Sequence, residues 1–368
     1  MALRRLFFLA IFSGLFLRCQ SPQPLETPTT TSKPVANHHA QLFQLSTSKS
    51  DTFLHIYGSR KRVIARYFWG KSEHIAAHQK IHRKPSVVAL SALFARMLHE
   101  LQLGDGLIGV DNLDYLPSEI TRNSKCKSVQ KSGILDQEAL IKMHAAVVFC
   151  YLLDGAGEAD WLRLQRDSQA VVFIQSHLES HPLARAEWIR PMGWLLGRAA
   201  LSDSLFRDIE TRYLDLCKQS DTLTESPNTM LNLPFQGIWH IPNRDAYFTQ
   251  LLHDAGLNPV WLKPKSHPGT GASTLPLEQA LTHVQSADIW LNLGTARSKA
   301  DIVNYEPRLF ELVQKKKLRC YQNDRLLEAN GANAFWDLGA LHPERILSDL
   351  LTIRKSGPDK DLYFYRAL

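Results

Sequence analysis

Cysteine is scarce and badly placed for metal chemistry. None of the five cysteines lies in a Cys-x-x-Cys pair or a Cys/His ligand spacing, which argues against a zinc site. After Cys19 there remain Cys126, Cys150, Cys217 and Cys320. An oxidising compartment permits a disulfide among them, but spacing does not say which pair. Cys150 closes an apolar strand and Cys217 falls on a helix face, so both read as buried thiols. There is no Gly-x-Ser-x-Gly. The glycine-rich stretch Gly269-Thr270-Gly271-Ala272 follows Pro268 and opens no helix, so neither a nucleophile elbow nor a phosphate loop is indicated. Charge is not concentrated either. The net charge is +7, yet no Lys/Arg stripe is interleaved with aromatics, which gives no support to nucleic-acid binding. Diffuse positive charge mildly favours an anionic ligand or membrane surface. No internal repeat of solenoid period is present.

What is present begins with residues 1–19. Arg4 and Arg5 precede the apolar run Leu6–Leu17, too short to span a bilayer and suited to an export signal. A cysteine directly after such a run resembles a bacterial lipobox, with Cys19 as the lipidated residue; Arg18 departs from the small residue normal there. Residues 20–50 are rich in Pro, Ser, Thr and Gln and read as a flexible tether. His38 and His39 fall within it and need no role.

Leu183–Lys218 is the longest periodic stretch. Trp188, Met192, Leu195, Ala199, Leu205, Ile209, Tyr213 and Leu216 recur at helical steps. The expectation is a single helix about 54 Å long at 1.5 Å per residue, with a kink or a start near Pro191, which removes the bond to the Glu187 carbonyl. On either side, short apolar runs alternate with helical patterns: Ser86–Leu90, Leu107–Val110, Ala145–Cys150 and Ala170–Ile174 before it, Thr229–Leu233, Pro259–Leu262, Ala287–Leu293 and Leu318–Tyr321 after it. This alternation predicts α/β organisation with parallel sheets. The expected layout is an N-terminal lobe at 51–182, a connecting helix at 183–219, a C-terminal lobe at 220–356 and a frayed tail at 357–368. A chain of this length can bury two sizeable cores.

In open α/β sheets ligands sit beyond the carboxyl ends of strands. Those places hold Ser91, Tyr115, Tyr151, Trp239, Arg244, Arg297 and the Asn330–Trp336 loop. Each aromatic alone is more often packing than contact; several at equivalent strand ends of two lobes point to a cleft. Ser91 also stands where it can cap the helix Ala92–Leu103. His177, Glu179 and His181 admit a metal reading, against which stands a plain surface or rim loop.

At this point the sequence resembles a known family. The run SVVALS…LHELQLGDGLIGVDNLDYLP resembles the opening of class III periplasmic substrate-binding proteins, the iron-siderophore, haem and cobalamin receptors of ABC importers, in a version similar to Bacteroidetes envelope lipoproteins. PLARAEWIRPMGWLLGRAALSDSLFRDIETRY is similar to their connecting helix. GIWHIPNRDAYFTQLLHDAGLNPVW and NAFWDLGALHPERILSDLL are similar to their C-lobe signatures. The resemblance implies two Rossmann-like three-layer lobes joined by one long helix and a ligand held between them. It implies no catalysis and no intrinsic cofactor, and a ferric siderophore, cobalamin or haem as cargo. It further implies a monomer in the cell envelope, docking on an ABC permease through one acidic residue per lobe. Glu138 and Glu278 occupy those positions, although His144-Ala145 replaces the Pro-Asp usual after the first. Asn243-Arg244 stands where a glycine is common, so Arg244 either meets an anionic chelate or caps the loop. No Tyr/His pair demands haem ligation. The alternatives left open are a haem carrier of the same fold and an envelope metal-site protein or enzyme built on His177, Glu179 and His181.

Overall fold

The computed structural model describes residues 32–48, 51–58, 61–69, 86–121, 125–131, 134–152, 170–262, 269–315, 318–356 and 359–368. The signal-like segment, Cys19 and the helix expected near 159–165 lie outside these residues.

The described chain opens on an antiparallel sheet of four strands, β1 (Lys33–Val35), β2 (Phe43–Ser48), β3 (Asp51–Tyr57) and β4 (Val63–Trp69), in that order. The second half of the expected tether is therefore built structure. Ala40, Leu42, Phe43 and Leu45 are buried, and two carboxylates fix the chain that leads to them. Glu187 accepts from the backbone N–H groups of His38, His39 and Ala40 at 2.7–2.8 Å. Glu179 accepts from those of Gln41 and Leu42. The polar composition misled because side chains elsewhere satisfy this segment's backbone.

The N-terminal lobe follows the predicted runs. β5 (Val87–Ala89), β6 (Leu107–Val110), β7 (Lys127–Ser128), β10 (Val147–Cys150) and β11 (Ala170–Phe173) form a parallel sheet in the order β11-β10-β5-β6-β7. A small hairpin, β8 (Gln130–Lys131) with β9 (Ile134–Leu135), stands apart. β10 and β11 are buried throughout, as parallel strands covered on both faces must be. Helix α1 (Ala92–Glu100) covers one face, followed by α2 (Ser118–Thr121) and α3 (Gln137–Lys142).

The expected single rod is three helices: α4 (Pro182–Ala186), α5 (Ile189–Leu195) and α6 (Ala199–Asp221). Pro191 lies inside α5 and is not the break. The first interruption falls at Glu187-Trp188. The second falls at Gly197, whose φ of 74° is a left-handed turn that glycine adopts freely. There the chain folds α6 back on α5, close enough that a Cβ on Gly193 would lie 2.3 Å from that of Ser202.

The C-terminal lobe repeats the parallel scheme. β12 (Asn228–Leu231), β14 (Asn258–Pro259), β16 (Ile289–Leu291) and β17 (Arg319–Gln322) are parallel, in the order β14-β12-β16-β17. β18 (Arg366–Ala367) closes the edge antiparallel to β17, so the tail is anchored, not frayed. Asp349 accepts from the backbone N–H groups of Tyr363, Phe364 and Tyr365 at 2.7–3.1 Å. The loop expected at Gly237–Arg244 is instead β13 (Ile238–Pro242), paired with β15 (Ala272–Pro276). The helices are α7 (Tyr247–Asp254), α8 (Leu277–Ser286), α9 (Lys299–Tyr305), α10 (Phe310–Lys315), α11 (Ala334–Leu341) and α12 (Pro343–Arg354).

The lobes meet where α1 packs on α11. Buried Arg96 donates to Asp337 at 3.0 Å and also to Glu119. His342, between α11 and α12, lies 3.2 Å from Glu100 on α1 and 3.0 Å from Glu344. Among the described residues no helix is long and apolar enough to cross a membrane.

Candidate functional site: a cavity at the carboxyl edge of the C-terminal sheet

The register of the C-terminal sheet decides what stands at its edge. Leu231 of β12 pairs with Leu291 of β16, which pairs with Tyr321 of β17. The next residues, Asn232, Asn292 and Gln322, therefore form a row of amides across three parallel strands, with Asn323 just beyond. Asn232 and Asn292 have φ of 62° and 59°, a left-handed exit that Asn tolerates better than most residues. The same three residues, Leu-Asn-Leu, end both strands.

Packing below holds this edge. Buried Trp239 and Trp290 stack with centroids 5.7 Å apart. Their indole N–H groups donate to the carbonyls of Leu231 and Asn232, both at 2.8 Å. Trp239 is fully buried; it positions the end of β12 and does not line the cavity, which corrects its expected place as a ligand contact. Tyr365 donates its hydroxyl to Asn292 Oδ1 at 2.8 Å. Gln322 bonds the turn after β16 through Leu293 N–H and the Gly294 carbonyl.

Above the row is a cavity of about 580 Å³, lined by Asn232, Asn292, Asn323, Arg297, Tyr305 and Trp336 together with Phe235, His240, Leu327 and Asn333. The loop that carries Leu327 and Asn333 also touches the N-terminal lobe: Asn330 donates to the Leu116 carbonyl at 3.1 Å, and Glu328 accepts from Ser118 N–H at 3.0 Å. The cavity thus opens beside the seam between the lobes.

The structure brings together some of the expected residues and separates others. Arg297 and Trp336 meet in the cavity. Tyr115 is exposed, on the loop that makes the Leu116 contact. Ser91 and Tyr151 meet in the other lobe. Ser91 takes the N-cap position of α1 without a side-chain cap; its side chain stands near the Tyr151 phenol, as does that of Ser176, whose Oγ is buried without a hydrogen-bond partner. Burial pushes that phenol upward, the Ser91 and Ser176 side chains opposing the shift, and His177 stands edge-on to its ring at 4.7 Å. Arg244 is exposed on the loop after β13, with Asp245 3.9 Å away, outside the cavity-lining set.

The His177, Glu179 and His181 reading fails on geometry. Glu179 is occupied by backbone donors and lies 3.3 Å from the Trp188 indole nitrogen. His181 accepts from Leu183 N–H as the N-cap of α4. No metal-holding group of His, Cys, Asp and Glu occurs among the described residues. His38 and His39, expected to be idle, both bond Glu210 on α6 at 2.8–3.0 Å. Cys126, Cys150, Cys217 and Cys320 are free thiols, Cys217 being only half-buried. Glu138 and Glu278 are exposed on the first turns of α3 and α8, and each is paired: Glu138 with Lys142 at 2.6 Å and Glu278 with Arg308 at 3.3 Å.

Sequence reasoning missed Asn232, Asn292, Asn323 and Tyr305. The repeated Leu-Asn-Leu at two strand ends was a usable signal for the first two.

Comparison with known proteins agrees with this architecture. Among solved structures, a possible iron-binding periplasmic solute-binding protein from Staphylococcus epidermidis ATCC 12228 is 15% identical, with 76% of this chain and 100% of that chain covered at a TM-score of 0.53. The vitamin B12 binding protein BtuF of Vibrio cholerae is 13% identical (75% and 98% covered, TM-score 0.53). The siderophore binding protein FhuD of Vibrio cholerae, bound to Fe3+-Desferal, is 17% identical (73% and 99% covered, TM-score 0.51). At these identities the likeness concerns the fold. No curated protein matches the sequence. A family model described as periplasmic binding protein matches residues 87–310, a span that takes in the whole N-terminal parallel sheet and the C-terminal one apart from β17 and β18, and the chain belongs to that family.

Proposed function

We propose that the protein is the substrate-binding component of an ABC importer, exported to the cell envelope and held there by a lipid on Cys19. In this reading it captures a metal chelate (a ferric siderophore, a corrinoid or haem) between its lobes and delivers it to the permease. The observation that carries the reading is the cavity at the carboxyl ends of β12, β16 and β17, where a doubly wound sheet receives ligands. Its volume and its mix of aromatics with a few polar groups suit a small molecule.

Docking would use Glu138 and Glu278, one carboxylate per lobe, which permease arginines could grip in charge-assisted pairs. Lys142 and Arg308 shield these acids and would have to give way, an exchange that surface pairs of small net worth allow.

Two measurements test the reading. Native mass spectrometry of residues 32–368, mixed with ferric siderophores, haemin and cyanocobalamin, should find one ligand held one to one. Uptake by cells carrying the Glu138→Ala/Glu278→Ala variant should fall to background while that binding is unchanged. Loss of binding in the variant would refute the docking assignment; no binding across the panel would refute the receptor itself.

A further inference from the structure

Within the receptor reading, on which this inference rests, the hydrogen-bond inventory of the cavity names a class of cargo. Asn323 is 5% exposed, lines the cavity, and its Nδ2 has no partner. A buried amide donor left unpaired is costly unless something else satisfies it. Asn292 spends its Oδ1 on the Tyr365 hydroxyl, which leaves its NH2 group for the cavity. Arg297 is exposed there, and no described side chain pairs with its guanidinium. The one carboxylate in the lining, Asp324, is already engaged by Arg366 through two bonds of 2.7 and 2.8 Å. Gln322 is spent on the turn at Leu293 and Gly294, and Asn333 on the Asn323 carbonyl and Phe335 N–H. Asn232 spends its NH2 group on the His240 carbonyl at 2.8 Å. Among the described lining groups the donors free for a ligand thus include Asn323 Nδ2, the Asn292 NH2 group and the Arg297 guanidinium, a lining cation on which Asp301 acts electrostatically but which no carboxylate hydrogen-bonds.

We infer that this cavity selects an anionic, oxygen-rich chelate, held by Arg297 and by the amides of Asn292 and Asn323, with Tyr305 and Trp336 as the aromatic rim. Neutral and cationic cargoes offer the guanidinium no counter-charge. Anionic oxygens on a catecholate, a carboxylate complex or the propionates of haem share the chemistry required, and the probes below separate them.

The test is a titration of residues 32–368, read by Trp336 fluorescence and by native mass spectrometry. The probes are a ferric tris-catecholate, ferric citrate, haemin, a ferric trihydroxamate and cyanocobalamin. One of the first three should bind most tightly. Arg297→Gln should weaken that probe by about 10- to 100-fold, the scale of one hydrogen bond to a charged group, with Arg297→Lys recovering part of the loss. Asn323→Asp, which turns the orphan donor into a second anion, should weaken it at least as much with an unchanged far-ultraviolet circular dichroism spectrum. Arg297 is exposed, so its variants remain decisive even if Asn323→Asp does not fold. Tightest binding of the trihydroxamate or of cyanocobalamin would overturn the inference and leave the receptor intact, as would an Arg297→Gln variant of undiminished affinity for the anion. Failure of every probe to bind would overturn both.

Discussion

Asn232 and Asn292 each combine a backbone role with a side-chain one. Both leave their strands in the left-handed region, where a β-branched residue would be strained, and both bring an amide to the cavity. Arg96 shows the same economy in the seam between the lobes. Its side chain is 4% exposed and that of its partner Asp337 is 3% exposed. Burial pushes the Asp337 carboxyl upward, and Arg96 opposes the shift. Removing one partner of a buried pair leaves the other charge uncompensated, a loss of about 3–5 kcal/mol. Asp337→Ala should lower unfolding free energy by that amount in urea titration. An Arg96→Met/Asp337→Leu double variant should recover much of it. A single variant with wild-type stability would mean that Glu119 alone satisfies the guanidinium.

The helices between the sheets show how far a periodic pattern reaches. α4 and α5 are buried almost all round and α6 buries one face, so hydrophobic residues keep a helical step through both breaks and the stretch reads as one rod. What ends α5 is backbone: Gly197 turns left-handed, and Arg198 N–H bonds the Gly193 carbonyl at 2.6 Å. The fold-back then requires Gly193 to have no Cβ, because Ser202 fills the space. Gly193→Ala should therefore destabilise the protein by about 1–3 kcal/mol through overpacking, and Ser202→Gly in the same chain should restore most of that. Equal effects of Gly193→Ala in both backgrounds, measured as a thermodynamic cycle, would refute the contact. The strands were more legible. VVA, LIGV, AVVF and IWL are short apolar runs, and all of them form strands. β13 and β15 were missed because Pro242 and the glycines before Ala272 signal loops, whereas these two strands, distant along the chain, make an antiparallel pair with only each other as sheet partners.

At the scale of the molecule, the two lobes are joined by titratable groups. Burial pulls the His342 imidazole down, but hydrogen bonds to Glu100 and Glu344 outweigh it and hold the ring above its usual value. Burial raises Glu100, and His342, Arg96 and Arg345 bring it below its usual value. A histidine raised in the folded state contributes stability that is complete below the unfolded value, about 6.5, and is lost as pH rises through the folded one. A depressed Glu contributes stability that is complete above about 4.3 and is lost as pH falls through its folded value. The seam should be firmest between those limits. The urea midpoint at pH 6 should exceed that at pH 8.5, and His342→Gln should flatten the difference. An identical pH dependence in the variant would place the effect elsewhere.

The alternation of apolar runs and helices, the family likeness and the expectation of a ligand at strand ends were all determined by the sequence alone, because burial and backbone pairing impose periods that can be counted along the chain. Arg297 and Trp336 were legible for that reason, since each follows a recognisable strand. The membership of the cavity was decided only by tertiary structure. Sheet register places Asn232, Asn292 and Gln322 side by side although they come from distant parts of the chain, and packing against Trp290 sends Trp239 into the core. The strap at 32–48 is of the same kind. Its order depends on Glu179 and Glu187, carboxylates more than a hundred residues away, and a long-range hydrogen bond leaves no period in the sequence that makes it.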